Sequence, residues 1–396
     1  MKRRRMRSAS SAPPHAERRS ARQVASVLLL AVLPVVLAGA LRPVPAAAMP
    51  IYAARERLLC TSCHVDPSGG GLRNSLGFSY LRNRHAFTTE SRFGHLPAEQ
   101  PEIVDNLPVG GDVRVLYDAL SRRHASGSFP NEVSSFFRMQ AAFYLSYAPS
   151  DQVRLYYNQD LDGVRDVWAQ LGNLPAGGYV RAGAFRLPYG LRMEDHTIYQ
   201  RDDLETPVSV LGFDPRQPDV GVEFGVIRSS LIAQAAVTNG SNVGFDSDRN
   251  KAFTARGMGL VGPALFGGSV HLDSDGQSTA TEHLRYGGFA SVNPLIDLVL
   301  LGAIDLGEDE RGDVTTPVLL AWAEADYFYE RLARFRLRYE FLDKNRDEEF
   351  ADSERYTVEG DLIPVPFAAV RLSYRFTSNE DELDIEELIG MVSVSF

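Results

Sequence analysis

Cysteine is scarce in this sequence, because only Cys60 and Cys63 occur in 396 residues. A structural zinc site needs about four ligands, and a second cysteine pair that would complete one is missing. No βαβ pattern follows the pair, which argues against a thioredoxin-like redox site at a helix N-terminus. The two cysteines therefore indicate a site that needs only one cysteine pair.

Long apolar runs are also scarce, and the single one lies near the N-terminus. Basic residues precede an apolar run over 24–41, and the small residues of 45–48 follow it. This order is typical of a cleaved signal peptide, so we predict a signal peptide over 1–48 and a mature start near Met49. The alternative is a retained membrane anchor, but the run is only about 18 residues long and contains Pro34.

Positive charge is the third shortage. Without residues 1–48, the chain has 32 Lys and Arg against 50 Asp and Glu, a formal charge of −18. Such a chain repels nucleic acid and attracts small cations. We therefore expect no nucleic-acid partner.

The cysteine pair belongs to the sequence Cys60-Thr61-Ser62-Cys63-His64. C-x-x-C-H is the signature of covalent c-type haem attachment, in which the cysteines form thioethers and the histidine ligates iron. Export from the cytoplasm places the motif where this chemistry occurs. We therefore predict one covalent haem c on Cys60 and Cys63, with His64 as the proximal iron ligand.

The distal iron ligand is less defined by the sequence. No methionine lies between His64 and Met139, so a histidine is favoured. His85 is the first choice and His95 the second, and an open sixth position remains an alternative. Cations that would pair with the haem propionates, or would only be solvated, are Arg73, Arg82 and Arg84.

The segment 49–108 is short for a domain that folds by itself, so we predict a monohaem cytochrome c segment that needs a surrounding wall. Gly69–Gly71 predicts a turn that brings backbone close to a bulky group, and a flexible linker is the alternative. An amphipathic helix is predicted from the apolar residues Leu72, Leu76, Tyr80 and Leu81.

The remainder, 109–396, alternates between apolar and polar residues. Phe335, Leu337 and Tyr339, for example, alternate with Arg334, Arg336 and Arg338. We count about sixteen such runs, many of them about ten residues long, which suffices to cross a bilayer at a tilt. A soluble sandwich is the alternative, but its strands would be shorter. The predicted fold is all-β, a transmembrane antiparallel β-barrel of about 16 strands, with the haem segment plugging the lumen.

The connections between the runs support this fold, because short and long ones alternate. Short connections include Ser229-Ser230, Asn293-Pro294 and Glu330-Arg331, and the longest connection is 188–218. Outer-membrane barrels have short periplasmic turns and long outer loops. The location that follows is the outer membrane of a Gram-negative bacterium, with its lipids as a partner.

The predicted long loops are rich in acidic residues. Most of this acidity would keep the loops soluble, and the sharper hypothesis is a mouth that concentrates divalent cations. Glu324 and Asp326 are predicted to face the arginines of the next strand inside the lumen. The acidic loop residues are Asp246, Asp248, Glu308, Asp309, Glu310, Asp313, Asp347, Glu348, Glu349, Asp352, Glu380, Asp381, Glu382 and Asp384.

A C-x-x-C-H motif directly after a signal peptide and before a porin-like barrel resembles the fused monohaem cytochrome–porin family. The resemblance covers the layout of the mature chain, and its specific residues are Cys60, Cys63 and His64. It implies an electron conduit from extracellular Fe(II) to periplasmic carriers such as soluble cytochromes, and an Fe(II):cytochrome oxidoreductase activity. Two alternatives stay open: outward transfer to an external acceptor, and a diffusion porin with a structural or sensory haem.

Overall fold

The computed structural model describes most of the chain after the predicted signal peptide. The described residues are 50–87, 99–123, 131–161, 163, 165–191, 198, 211, 213–240, 249–274, 281–348, 352–379 and 384–396.

Two short helices and sixteen strands form the described structure. The helices are α1 (Pro50–Glu56) and α2 (Ser75–Arg82), with a 3₁₀ turn at Cys60–Ser62 between them and a second at Pro175–Gly177. The strands are β1 (Val109–Arg123), β2 (Asn131–Tyr147), β3 (Val153–Asp160), β4 (Arg165–Leu174), β5 (Gly178–Phe185), β6 (Asp219–Arg228), β7 (Leu231–Thr238), β8 (Ala252–Val261), β9 (Ala264–Ser274), β10 (Thr281–Leu295), β11 (Leu298–Arg311), β12 (Val314–Tyr329), β13 (Ala333–Asp343), β14 (Asp352–Val365), β15 (Ala368–Asn379) and β16 (Asp384–Ser395).

The strands form one closed antiparallel barrel in which each strand pairs with its neighbours in sequence. Closure occurs between β1 and β16, where Asp112 is paired with Ser395. Phe396 extends this seam, because its N–H donates to the Gly111 carbonyl at 3.0 Å. The prediction of a sixteen-strand antiparallel barrel is confirmed.

The outer surface of the barrel is apolar and the inner surface is charged. On β13, Phe335 and Leu337 are 55% and 60% exposed, whereas the alternating arginines are buried. An apolar outer belt around a polar interior is the reverse of a soluble barrel, and it matches a wall that faces lipid. This is the architecture of an outer-membrane protein, as the alternation predicts.

No helix among the described residues is long and apolar enough to cross a membrane.

One predicted turn lies at a different position. Asn293 and Pro294 belong to β10, and the chain reverses at 296–297. The pairing register of β10 with β11 shifts between Val292 and Leu295, so the proline sits at an irregularity that tolerates its missing N–H. The proline therefore marked a strand end rather than the turn itself.

The N-terminal helices pack against the inner wall. Helix α1 contacts β10 and β11, and Tyr52 packs against Phe328 of β12 with ring centroids 5.7 Å apart. The sequence did not lead us to predict α1. The α2 helix differs from the predicted one in its buried face: Leu72 precedes it, Leu76 is 44% exposed, and Phe78 is buried instead.

The connection after β5 also departs from the prediction of a purely outer loop. Arg186–Leu191 is buried, and Tyr189 Oη donates to Asp305 of β11 at 2.8 Å. Gly190 N donates to Ser269 of β9 at 2.8 Å. This part of the connection therefore extends into the lumen and contacts β9 and β11.

Candidate functional site

The cysteine motif lies on a buried turn against the inner wall. Cys63 N donates to the Cys60 carbonyl at 3.3 Å, which closes a 3₁₀ turn. Residues three apart eclipse each other in this geometry, so both cysteines leave the same side of the turn. Both cysteines are buried and neither forms a disulfide, and His64, which follows, is 6% exposed.

Residues after His64 double back as a narrow hairpin-like loop. Val65 N donates to the Leu72 carbonyl at 3.0 Å, and His64 forms a β-bridge with Arg73. Gly69, Gly70 and Gly71 all have positive φ at the tip, a conformation that favours glycine.

The glycines of this loop permit two close contacts. A Cβ on Gly69 would lie 2.9 Å from Cys60 Cβ, and a Cβ on Gly71 would overlap Tyr156 Oη of β3. The same Tyr156 Oη accepts the Leu72 N–H at 3.3 Å. The predicted glycine turn is therefore present, and the bulky groups that it approaches are a motif cysteine and a barrel tyrosine.

His85 lies immediately beyond α2 in a constrained position. Arg84 and His85 both have positive φ (55° and 54°), which L-residues rarely adopt, and His85 N donates to the Tyr80 carbonyl at 2.9 Å. Its ring stacks on Tyr52 with centroids 4.1 Å apart and planes at 12°. A left-handed backbone costs of order 1–3 kcal/mol and is concentrated at functional sites.

The imidazole of His85 is in the form that binds a metal. Burial, with the nearby guanidinium of Arg73, lowers the pKa of His85 to about 3, so the ring is neutral at physiological pH. Its Nδ1 is buried and has no hydrogen-bond partner among the described residues. His95, the second choice, lies outside the described residues.

A cavity separates this part of the segment from the β13–β16 side of the wall. His85 lines it together with the aromatic ring of Tyr52 and, from the turn between β14 and β15, Phe367. Its cations include Arg73, Arg114, Arg334, Arg336 and Arg371. Arg73 Nη1 is buried without a hydrogen-bond partner in the part of the chain that the structure describes. Of the three predicted propionate arginines, only Arg73 is among the described lining residues.

These residues fit a c-type haem. The motif supplies two thiols on one side of a turn, and the lining of the adjoining cavity combines apolar side chains with a neutral imidazole and an arginine for a carboxylate. Since Arg73 is bridged to His64 along the backbone, the cavity and the motif are neighbours.

The predicted charge ladder is present inside the barrel. Arg336 Nε lies 3.1 Å from both Glu324 and Asp326, and Arg338 Nη2 lies 2.6 Å from Glu324. Arg334 contacts Asp361 of β14. These residues are at most 9% exposed, so the described lumen near β12–β14 is filled by ion pairs.

The described outer rim carries one close histidine–carboxylate pair, His283 Nδ1 and Asp309 Oδ1, at 2.7 Å. No group of three or more His, Cys, Asp or Glu side chains that could hold a metal ion occurs among the described residues. Of the predicted acidic loop residues, those outside the described part are Asp246, Asp248, Glu349, Glu380, Asp381 and Glu382.

No protein-family model and no curated protein matches this chain. Solved structures do match it, and outer-membrane porins and channels are among them. An anion-selective porin from Comamonas acidovorans matches with a TM-score of 0.57 and 11% identity, over 73% of this chain and 99% of the porin. OmpT, an outer membrane protein of Vibrio cholerae, matches with a TM-score of 0.54 and 11% identity, over 74% and 98%.

The outer membrane channel DcaP of Acinetobacter baumannii matches with a TM-score of 0.53 and 10% identity, over 75% of this chain and 99% of DcaP. These similarities establish the porin-like barrel fold. The fold and the apolar outer belt together place the chain in the outer membrane of a Gram-negative bacterium.

Proposed function

We propose that this protein is an outer-membrane electron conduit that carries electrons across the membrane through one covalent haem c inside a porin-like barrel. The observation that carries the proposal is the position of Cys60-Thr61-Ser62-Cys63-His64, buried against the inner wall of a closed barrel. When bound, a c-type haem supplies a one-electron redox centre.

Each residue of the site has a separate role in this proposal. Cys60 and Cys63 would attach the haem covalently, and His64 would ligate its iron. His85 would be the second histidine ligand, since its neutral ring lines the cavity next to the motif. Arg73 would pair with a propionate, because it lines the same cavity and its Nη1 atom is buried.

The packing of the lumen favours transfer of electrons over transfer of solutes. A water-filled channel would leave the wall charges hydrated, whereas Arg181, Glu223, Asp326 and Arg336 are each at most 4% exposed. The N-terminal helices and Arg186–Leu191 occupy the interior beside them. An electron can cross such an interior without displacing it.

The two membrane faces suggest the partners. The cavity near His85 lies by the short β14–β15 turn, on the periplasmic side, where soluble electron carriers such as cytochromes would exchange electrons. The acidic outer rim favours a cationic donor, and extracellular Fe(II) is the proposed one. The reaction would make the protein an Fe(II):cytochrome oxidoreductase. Transfer in the opposite direction, to an external acceptor, uses the same residues.

The test is reconstitution of the mature holoprotein in liposomes with its outer loops facing the bulk solution. Addition of Fe(II) outside is expected to shift the haem absorbance to that of the reduced form. The His64→Ala variant is expected to retain covalent pigment through both cysteines and to lose this response. Wild-type protein that carries no covalent pigment after maturation with the haem-attachment machinery would refute the proposal.

A matched pair of histidine variants tests the distal ligand. His85→Ala is expected to change the spectrum from six-coordinate low-spin to high-spin haem. His271→Ala is the control, because His271 is a buried lumen histidine of β9 that bonds Thr254 and lies outside the cavity lining. An unchanged spectrum in His85→Ala would leave His95 or an open position as the alternatives.

A diffusion porin with a structural or sensory haem is the second candidate, and the fold similarity to known channels favours it. Conductance in planar bilayers separates the two. The conduit is expected to conduct ions poorly, whereas a diffusion porin would conduct well and its haem would not respond to an external donor.

A further inference from the structure

Beside the cysteine motif, a buried charge cluster joins the loop after His64 to the wall. Asp66 Oδ1 accepts from Arg181 Nη1 of β5 at 3.1 Å, and Arg181 Nη2 donates to Glu223 Oε2 of β6 at 2.7 Å. Arg181 and Glu223 are both 0% exposed. Three charges from distant parts of the chain therefore meet away from water.

Polar side chains of three further strand positions complete the cluster. Gln234 of β7 donates to Ser68 Oγ at 3.2 Å and to Glu223 Oε1 at 3.2 Å. Tyr179 donates to Glu223 Oε1 at 2.6 Å, and Arg256 of β8 donates to Gln234 Oε1 at 3.1 Å. The wall from β5 to β8 thus forms a polar receptor for the loop 65–69.

The burial of this receptor depends on the loop. Lumen-facing charges of a barrel are hydrated unless something covers them, and a buried ion that loses its partner is strongly destabilising. Asp66 supplies a charge partner to Arg181, and Ser68 supplies a partner to Gln234. The wall and the loop are therefore complementary in charge as well as in shape.

We propose that Arg181 is a positioning residue. Its ion pair with Asp66 docks the loop 65–69, which follows the cysteine motif, against β5–β8, and the charges of the cluster set the reduction potential of the haem. The second part rests on the proposed function. Asp66 is two residues from His64, so their Cα atoms are at most about 7 Å apart. Arg181 lies 3.1 Å from Asp66, so the buried cluster brings its charges next to the loop that follows the motif, and buried charge near a redox centre shifts its potential.

The sign of the effect follows from electrostatics. Removal of the Arg181 cation leaves excess negative charge, which stabilises the oxidised, more positive haem and lowers its potential. Removal of the Glu223 anion acts in the opposite sense and raises it. Both substitutions perturb the same packing, so structural damage alone would not produce shifts of opposite sign.

The experiment compares Arg181→Gln and Glu223→Gln with Arg375→Gln and Glu387→Gln in full-length holoprotein. Arg375 and Glu387 form an equally buried ion pair, 3.0 Å apart, between β15 and β16 and are the matched control. Spectroelectrochemical titration is expected to show a lower potential in Arg181→Gln, a higher one in Glu223→Gln and small shifts in the controls. Shifts of the same sign in the first two, or equal shifts in the control pair, would overturn the role in the potential.

Docking has its own readout. Limited proteolysis is expected to release the N-terminal segment at least tenfold faster in Arg181→Gln than in Arg375→Gln, and Arg181→Lys should restore most of the protection. Folding of each barrel is checked by its heat-modifiable migration, and Asp66→Asn, which removes the same ion pair from the loop side, replaces Arg181→Gln in the release assay if the latter does not fold. Equal release in Arg181→Gln and Arg375→Gln would overturn docking, while wild type without haem would overturn the proposed function and leave the docking result standing.

Discussion

Replacement of Gly71 by alanine is expected to release the N-terminal segment from the barrel wall. Gly71 has φ +63° at the tip of the loop after His64, and its Cβ would overlap Tyr156 Oη. The substitution therefore acts on the contact that joins the loop to β3. It leaves every charge of the site unchanged.

The size of the effect follows from two contributions. A left-handed conformation costs alanine roughly 1–2 kcal/mol relative to glycine. Displacement of Tyr156 removes the hydrogen bond from Leu72 N, a loss of about 1 kcal/mol. The sum of about 2–3 kcal/mol corresponds to roughly 30–150-fold more undocked segment.

Two comparisons separate these contributions. In Gly312→Ala, alanine takes nearly the same φ (+61°) at a position with no atom within 4 Å of the new Cβ, so segment release should not change. In the Tyr156→Phe background the overlapping hydroxyl is absent. There, Gly71→Ala should increase segment release only by the amount that the left-handed backbone of alanine costs. The assay is the rate of protease release of the segment from the folded barrel. Release in Gly71→Ala that equals wild type, or an undiminished effect in the Tyr156→Phe background, would refute the reasoning.

Three further predictions concern the barrel and its helices. Arg334→Gln leaves Asp326, Glu359 and Asp361 buried without this cation and should destabilise the barrel by about 3–5 kcal/mol in urea unfolding, more than Arg371→Gln, whose side chain is 17% exposed. Burial, followed by the nearby Glu56 carboxylate, raises the pKa of Tyr80 well above its ordinary value of 10, so the docked segment holds the phenol proton more tightly and should lose stability as the pH rises above 10. Tyr80→Phe should weaken that alkaline release, and an identical pH profile would contradict the assignment. Leu337→Arg on the lipid-facing surface should make the free energy of folding into liposomes less favourable by about 2–4 kcal/mol if the site lies at mid-membrane. Leu337→Val should fold as the wild type does.

Strand positions were predictable because their signal is local. Phe335, Leu337 and Tyr339 alternate with three arginines, and period-two alternation requires no knowledge of the partner strand. The facing of Glu324 and Asp326 toward those arginines also followed, because adjacent antiparallel strands fix which side chains are opposite each other. Asn293-Pro294 misled the turn assignment, since proline is compatible with both a turn and a bulged strand end.

Contacts between residues far apart in the sequence could not be predicted from the sequence. Asp66 and Arg181 are 115 residues apart, and nothing local in either segment marks the other as a partner. Of the apolar residues predicted to form the buried face of α2, Leu72, Tyr80 and Leu81 are buried, but Leu76 is exposed. The wall accepts Phe78 instead, whose ring lies 5.5 Å from Phe367. The inward course of Arg186–Leu191 was hidden for the same reason, because its partners are on β9 and β11.

The sequence by itself determined the barrel, its strand number and the chemistry proposed for Cys60, Cys63 and His64, because residue periodicity and a contiguous motif are properties of the local chain. Only the tertiary structure decided how the N-terminal segment lies against the wall. It also decided that His85 faces a cavity instead of lying on a solvent-exposed loop, and that Arg181 and Glu223 are buried beside the motif. Burial and charge pairing are set by which distant surfaces meet, and that meeting exists only once the chain has closed into a barrel.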